Sequence, residues 1–272
     1  MQLQAQVYDA LLALGSVARR IPELCLSIDE LHALAERVKR TLLDHFVASD
    51  HRGLFLVNAA VRDRSGSLSP LAVRTVNIGL VLDSGLLEGK DVRWLRDACV
   101  RQLFSPDLLS PFGIAARARD EIRFEKFDYH SQVWAFASFK SARGLSRHGF
   151  GRLARELEAR VMRQTWDGLL PENVGAGSDR QLEYCPHILT VRRPAPDGRM
   201  TVTVKERTPA PFAAWTAGAV VAIERLSRTS VDRPVCTELE EEILGGLDDQ
   251  AYRGAADLAW RPTTPAPRQL RQ

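Results

Sequence analysis

A helical period of apolar residues recurs along most of the chain and constrains the fold more than any other feature. Val7, Leu11, Leu14 and Ala18 follow i, i+4, i+7, i+11 spacing, which predicts an amphipathic helix over residues 4–20. Similar spacing predicts further helices at residues 28–47, 92–103, 133–145, 153–161, 215–226 and 238–247. Such helices bury their apolar faces against one another, so the sequence predicts an all-α protein.

Capping residues and connection lengths add to this pattern. Ser27 and Glu30 form a capping box before the second helix, and Gly149 suits the C-terminal cap of the fourth. Paired helices with long connections favour repeated helical hairpins over a four-helix bundle. The connections at residues 48–90 and 104–130 are long enough to suggest functional loops. Within the first, Asn77-Ile-Gly79 predicts a turn near a pocket, with Gly79 at positive φ.

Two segments depart from the helical pattern. Ile188–Arg192 and Met200–Lys205 alternate β-branched residues around Pro194-Ala-Pro-Asp-Gly198, which predicts a β-hairpin inserted on one rim. Residues 261–272 contain three prolines and no apolar period, so we expect a loose tail. The sequence thus predicts one domain over residues 1–260.

Composition and motifs exclude several function classes. The 37 basic and 34 acidic residues are interspersed, so nothing favours nucleic-acid binding. No apolar run is long enough to span a bilayer, and the N-terminus does not resemble a signal peptide. The four cysteines lie far apart, which predicts reduced thiols in a cytoplasmic protein. Neither a metal site nor a bound cofactor is expected.

A series of short strings resembles bacterial amylo-alpha-1,6-glucosidases of the glycogen-debranching type. The strings follow the family's order between residues 4 and 220 and match only the later part of its domain. They are Gln4-Ala-Gln-Val-Tyr-Asp-Ala10, Asn77-Ile-Gly79, Ser84-Gly-Leu-Leu87, Phe104-Ser-Pro-Asp-Leu108, Phe112-Gly-Ile114, Tyr129-His-Ser-Gln-Val-Trp134, Gly144-Leu-Ser-Arg-His-Gly149, Leu170-Pro-Glu172 and Ala214-Trp-Thr-Ala-Gly218. The resemblance implies a partial (α/α) six-hairpin toroid with the small β-hairpin as an insertion.

The resemblance also implies a chemistry. Members of this family cleave glycosidic bonds with two carboxyl groups about 6.5–9.5 Å apart, one protonating the leaving oxygen and the other activating a water. The family's base lies in a Leu-Pro-Glu string, which corresponds here to Glu172. Pro171 keeps the backbone extended or turned, so we expect Glu172 on a rim loop. The alternative is an exposed loop glutamate with no catalytic role.

Five further residues are implied to hold the sugar, an oligosaccharide or other α-glucoside. Trp134 and Trp215 are candidates for stacking, although tryptophans at helical spacing also pack into cores. Either Tyr129 or His130 occupies the polar position of its string, and the sequence leaves that choice open. Asn77 is expected beside the pocket.

The chain also departs from the family pattern. The family's general acid is an Asp in a string that precedes the Gln-x-x-Val-Tyr helix, and this sequence begins at that helix. We therefore expect residues 1–272 alone to be inactive or nearly so. Leu80, Phe112, Ala115 and Ala213 stand where the family usually has His, Trp, Arg and Gln.

These departures leave a second hypothesis open. The chain is then a non-catalytic carbohydrate-binding or assembly module, a pseudoenzyme. In either case an incomplete toroid exposes apolar helix faces. We expect a missing N-terminal half or a second copy to cover them.

Overall fold

The computed structural model describes residues 1–62, 64–121, 131–165, 170, 174, 187–194, 200–207, 213–228 and 237–249. Its helices are α1 (Gln2–Arg20), α2 (Ile28–His45), α3 (Asn77–Leu82), α4 (Arg93–Leu103), α5 (Ala135–Arg147), α6 (Gly151–Met162), α7 (Ala214–Arg228) and α8 (Glu238–Asp249), with short 3-10 turns at Pro22–Leu24 and Gly85–Leu87. Its strands are β1 (Val47–Asp50), β2 (Gly53–Leu56), β3 (Ala59–Arg62), β4 (Leu68–Leu71), β5 (Leu109–Ser110), β6 (Gly113–Ile114), β7 (His187–Pro194) and β8 (Met200–Arg207).

The helices form a two-layer array. Helix α3 packs against α1 on one side and α5 on the other, and α5 in turn packs against α7. A second helix packs on each of the first three members of this row, α2 on α1, α4 on α3 and α6 on α5. Their apolar faces share a continuous core that includes Leu42, Ile78, Leu95 and Leu145, all fully buried. This is the predicted series of helical hairpins.

Most sequence predictions about elements are confirmed. Every predicted helix is present, with boundaries shifted by a few residues. The Ser27 hydroxyl accepts a hydrogen bond from the Glu30 amide at 3.3 Å, and Gly149 follows α5 at φ 87°. Strands β7 and β8 pair antiparallel, with Pro194 opposite Met200. The predicted tail, residues 261–272, lies outside the described residues, so the domain boundary stays a prediction.

The connection at residues 48–90 is more ordered than the sequence suggests. It contains the antiparallel hairpins β1–β2 and β3–β4 and also the six-residue helix α3. The predicted turn at Asn77–Gly79 is wrong, because Gly79 lies inside α3 and has no positive φ. The reason for this glycine is space. A Cβ at Gly79 would lie 2.6 Å from the Ser141 Cβ on α5.

The crossing of α3 and α5 is correspondingly tight. On the α5 side, a Cβ at Gly144 would lie 2.6 Å from backbone atoms of Leu82 and Asp83. Glycine on both helices therefore sets how closely their axes approach. Since α3 begins at Asn77 and α5 begins directly after Trp134, this crossing fixes the spacing of two candidate site residues.

Helix α8 is tied to α6 through one buried carboxylate. Glu240 is fully buried, and its Oε1 accepts from the amides of Arg152 at 2.8 Å and Leu153 at 3.2 Å. These amides belong to the first turn of α6, where backbone donors lack helical partners. Glu240 thus caps α6 from a separate helix. Within the described ranges, none of the helices is both long and apolar enough to cross a bilayer.

Candidate functional site

Four chain segments lie side by side at one end of the helical array, joined by backbone hydrogen bonds. The Val76 amide donates to the Ala116 carbonyl at 3.2 Å, and the Ala116 amide donates to the Gln132 carbonyl at 2.9 Å. Val133 and Val174 then exchange two bonds, of 2.9 and 3.0 Å. We call this arrangement the rim ladder. It brings together chain regions that lie far apart in sequence.

Three of the predicted site residues, Glu172, Tyr129 and His130, lie outside the described residues. The residues flanking Glu172 on either side are nonetheless hydrogen-bonded. The Leu170 carbonyl accepts from the Ala213 amide at 2.8 Å, and Val174 belongs to the rim ladder. Leu170 is therefore bonded beside the start of α7, and Val174 beside the start of α5.

The two candidate tryptophans are close in sequence to Val133 and Ala213, the residues to which Val174 and Leu170 are hydrogen-bonded. Trp134 follows Val133 and is the N-cap residue of α5, whereas Trp215 occupies the first turn of α7. Trp134 is half-buried and packs against the main core, so at least part of its surface serves packing. Trp215 is 46% exposed, which leaves a large apolar surface facing outward. Helices α5 and α7 pack against each other.

Asn77 is half-buried at the start of α3 and joins two loops. Its Nδ2 donates to Asn58 Oδ1 at 2.7 Å, and the Thr75 hydroxyl donates to the same oxygen at 3.3 Å. The Asn77 amide in turn donates to Thr75 Oγ1 at 3.4 Å. Asn77 therefore has a structural role in holding the residues before α3 against the β2–β3 connection.

An apolar cluster lies on the rim ladder itself. Phe112, Ala115, Val133 and Val174 pack together, and each is at most 5% exposed. The loop that carries Phe112 is held from α6, where buried Arg160 donates to the Ser110 carbonyl at 2.7 Å. Just after α6, Gln164 donates to the Phe112 carbonyl at 2.6 Å. Buried polar side chains of α6 and of the residues just after it therefore hold this part of the rim, and the apolar cluster exposes little of its surface.

A charged cluster supports the opposite end of the rim ladder. Arg74 is 5% exposed and donates to both carboxylate oxygens of Asp50, at 2.8 and 2.7 Å. Its Cζ lies 3.8 Å above the centre of the Phe55 ring, and its amide donates to Glu121 Oε1 at 2.9 Å. Arg52 contacts Asp50 and Glu121, and also Asp107 and Asp120. The cluster links the β1–β2 hairpin to two other segments: the residues before α3, which include Arg74, and the residues after β6, which include Asp120 and Glu121.

The Arg74 guanidinium, together with the Arg52 amide, holds the pKa of Asp50 well below its usual range. We expect Asp50→Asn to cost about 1 kcal/mol of unfolding free energy at pH 7. The buried Arg74 guanidinium loses its nearer ionised acceptor, but Asp50 is about a third exposed and Glu121 Oε1 remains 3.8 Å from Arg74. A lowered folded-state pKa contributes stability above the ordinary value near ~3.9, and this contribution is lost as the pH falls through the folded pKa. The difference in unfolding free energy between the wild type and Asp50→Asn should therefore become smaller at acidic pH.

Thermal unfolding between pH 7 and pH 3 measures this difference. Asp91→Asn is the matched control, since Asp91 pairs with Lys39 at 3.1 Å and its side chain is 66% exposed. Little change is expected for the control. Equal losses in both variants, or an Asp50 effect that persists undiminished in acid, would contradict the assigned role of the pair.

Sequence reasoning missed the rim ladder and the charged cluster. The ladder consists of isolated backbone hydrogen bonds, and no pattern of side chains in the sequence indicates where they form. Arg74 and Asp50 are separated by 24 residues, and neither belongs to a motif. The apolar cluster had a signal in the sequence, because Phe112 and Ala115 are two of the positions that depart from the family pattern.

Comparisons with known proteins give the fold. No protein-family model matches the sequence, and a search of curated proteins found no match. Three solved structures from Thermus thermophilus are similar over 83% of this chain. A GH63 mannosylglycerate hydrolase in complex with Tris has a TM-score of 0.52 and 17% identity, and the match covers 44% of its chain. The same hydrolase in complex with glucose has a TM-score of 0.51 and 15% identity, with 44% of its chain covered.

The third structure is an uncharacterized conserved protein with a TM-score of 0.51 and 17% identity, of which 46% is covered. This chain shares their helical-toroid fold. The predicted class, all-α with a partial toroid and a small β-hairpin, is confirmed. The chain spans less than half the length of each of these structures.

Proposed function

We propose that this chain is a carbohydrate-active protein that carries the water-activating part of an inverting glycoside hydrolase site for α-glucosides. The anchoring of Leu170 and Val174 is the observation that carries the proposal. Both bond to residues that directly precede a candidate tryptophan or its helix, Ala213 and Val133. Glu172 is two residues from Leu170 and two residues from Val174, and two residues span at most about 7 Å. We therefore propose that the Glu172 carboxylate acts close to both of these hydrogen-bonded residues.

In the proposed mechanism the Glu172 carboxylate accepts a proton from a water molecule. The water oxygen attacks the anomeric carbon from the face opposite the leaving oxygen, so the configuration inverts. The second carboxyl group of such a site protonates the leaving oxygen. The strings quoted above do not supply the family's Asp for this role, so we propose that residues 1–272 alone hydrolyse unactivated glucosides slowly or not at all.

The sugar is proposed to lie against Trp215 and the accessible part of Trp134. An indole face stacks on the apolar side of a pyranose, and polar groups at the edge fix its orientation. Tyr129, His130 and Asn77 are proposed to supply these polar groups. The solved structure in complex with glucose supports a glucose-type ligand, and the mannosylglycerate hydrolases of the same fold make mannosylglycerate a second ligand to test.

Sugar binding tests the proposal without requiring turnover. Maltose, isomaltose and mannosylglycerate are titrated by calorimetry into the wild-type chain, Trp215→Ala and Trp134→Phe. We expect Trp215→Ala to weaken binding of the preferred sugar at least about tenfold, because a stacking surface is lost, corresponding to roughly 1.4 kcal/mol. The smaller change at Trp134 should weaken binding less.

Trp94→Ala is the control for the loss of an exposed indole. Trp94 is 48% exposed and lies in the first turn of α4. In the α3–α4 pair it is the first turn of α3 that reaches the rim ladder, so Trp94 is not one of the proposed sugar-binding residues. Unchanged binding in Trp94→Ala together with weakened binding in Trp215→Ala supports the site. No binding of any of the three sugars by the wild type, or equal effects in the two variants, contradicts it.

A second candidate function is a non-catalytic carbohydrate-binding or assembly module. The apolar rim cluster favours it, because Phe112 and Ala115 are buried where the family usually has Trp and Arg. A site that has lost polar groups retains stacking surfaces but fewer hydrogen bonds to a transition state. Sugar binding without turnover of an activated substrate would support this alternative over the hydrolase.

A further inference from the structure

Gln132, on the rim ladder, carries a buried carboxamide with no partner at either end. The residue is 1% exposed. Within the described ranges, neither the amide oxygen Oε1 nor the amide nitrogen Nε2 of this side chain makes a hydrogen bond. Because both ends are unpaired, turning the amide over in place would leave it unsatisfied. This unpaired group lies two residues before Trp134, one of the candidate stacking residues.

The backbone that carries Gln132 is fixed by the ladder. The Gln132 carbonyl accepts from the Ala116 amide at 2.9 Å, and Val133 exchanges two hydrogen bonds with Val174. The unpaired amide therefore does not result from a loose segment. Buried polar groups in native proteins nearly always have a partner, since an unpaired group has lost its bonds to water and gained none in return. The Gln132 amide accordingly points to a ligand as its partner.

Gln132 and Trp134 lie on the same side of this segment. Side chains alternate between the two sides of an extended chain. Val133, between the two, packs into the apolar rim cluster, whereas Trp134 has an extended backbone and packs against the main core instead. The Cα atoms of Gln132 and Trp134 are at most about 7 Å apart. The carboxamide is therefore close to the indole that the proposed function assigns to sugar binding.

We propose that the Gln132 carboxamide binds two neighbouring hydroxyl groups of the sugar. This inference rests on the proposed function and adds a binding residue and a ligand requirement to it. A carboxamide presents an acceptor and a donor side by side. One hydroxyl of the pair donates to Oε1, and the other accepts from Nε2. The ligand is accordingly a pyranose in which two adjacent hydroxyls are unsubstituted.

Sugar binding at this amide gains more than an ordinary exchange of hydrogen bonds. A polar group normally gives up a bond to water for each bond that it forms to a ligand, so the net gain is small. The Gln132 amide is closed to water and has no such bond to give up. Rotation about the side-chain torsions of glutamine moves the amide towards the sugar, and the two new hydrogen bonds favour the rotated state.

Calorimetric titration with methyl α-D-glucopyranoside and its monodeoxy derivatives tests the inference. For the wild type, we expect two derivatives that lack adjacent hydroxyls to bind at least about tenfold more weakly than the parent, because they leave the amide unpaired. Gln132→Met should bind the parent at least about tenfold more weakly than the wild type does. This variant should no longer distinguish the two derivatives from the parent, since the group that contacts the missing hydroxyls is absent.

Chemical denaturation without sugar separates a binding role from a structural one. Methionine is unbranched and close to glutamine in length, so it fills the same space without an amide. Gln132→Met should be at least as stable as the wild type, because an unpaired buried amide is replaced by an apolar group. A residue that supports the fold alone would show the opposite effect, a loss of stability.

Two matched variants control for the removal of an unpaired buried group. Gln102, on α4, is 7% exposed and both ends of its amide are also unpaired within the described residues, but α4 contributes no segment to the ladder. Ser131 is fully buried with an unpaired hydroxyl, and alternation places it on the other side of the segment from Gln132. Gln102→Met and Ser131→Ala should both bind the parent glycoside as the wild type does.

The possible outcomes distinguish this inference from the proposed function. If the wild type binds the glycoside and Gln132→Met binds it equally well, the inference is overturned and the sugar site stands. Equal losses of affinity in Gln132→Met and Gln102→Met, or a destabilised Gln132→Met, would also overturn it. If the wild type binds neither the parent nor any derivative, the inference and the proposed glucoside site fail together.

Discussion

Glu172→Gln is expected to slow hydrolysis of α-D-glucosyl fluoride by residues 1–272 by about 10²–10⁴-fold, the usual contribution of a general base. Fluoride departs without needing a proton from an enzyme carboxyl group, so this substrate bypasses the general acid. The attacking water still needs a base, which is the proposed role of Glu172. Fluoride release, corrected for spontaneous hydrolysis, measures the rate. Maltose and isomaltose should react far more slowly, since their sugar leaving groups require protonation.

Two controls make this result specific. Glu30→Gln changes an exposed carboxylate in the first turn of α2 and should leave the rate unchanged. Proton NMR of the first product should show β-glucose, because attack by water opposite to fluoride inverts the anomeric centre. Activity that Glu172→Gln leaves intact would show that the base is a different group. No activity on the fluoride, with sugar binding preserved, would favour the non-catalytic module.

Gly144→Ala is expected to lower the free energy of unfolding by about 1–3 kcal/mol, the usual cost of overpacking. The added methyl would lie 2.6 Å from backbone atoms at the end of α3, so the helices must separate. Alanine's better helix propensity, worth about 1 kcal/mol, offsets only part of this cost. Because α3 and α5 both begin at the rim, separating them should also weaken sugar binding. Chemical denaturation and calorimetry measure the two effects.

Gly245→Ala provides the matched substitution. Gly245 lies within α8, and a Cβ there meets no atom within 4 Å. Because the higher helix propensity of alanine is then the main effect, this variant should be more stable than the wild type by about 0.5–1 kcal/mol. If Gly144→Ala were equally stabilising, the tight crossing of α3 and α5 would be wrong.

The sequence predicts the long helices because their apolar residues recur over several turns, as Ala35, Val38 and Leu42 do on α2. On α1 the predicted face is only partly right, since Val7 and Leu14 are exposed and the buried residues are Ala5, Tyr8, Gly15 and Ala18. The sequence misses α3 because six residues, of which four are Ile, Leu or Val, are too short and too uniformly apolar to show a helical period. It misses the hairpins β1–β2 and β3–β4 because strands of four residues leave too few alternating positions to recognise. The Asp-Gly turn signal made β7–β8 easier to find.

The candidate site was less accessible to sequence reasoning than the fold. Glu172 came from the Leu-Pro-Glu string, and its role remains a proposal. The rim ladder depends on backbone bonds between distant segments, and Arg74 depends on Asp50 and Glu121, 24 and 47 residues away. Asn77 was predicted beside a pocket. Its contacts with Asn58 and Thr75 give it a structural role as well.

We propose that the Glu172 carboxylate shares one sugar pocket with Trp134 and Trp215. A crystal structure of this chain soaked with glucose or maltose tests this arrangement. We expect a pyranose against the Trp215 ring, with the Glu172 carboxylate within reach of the anomeric carbon through one water. A Glu172 carboxylate facing bulk solvent, remote from both indoles and from the bound sugar, would contradict it.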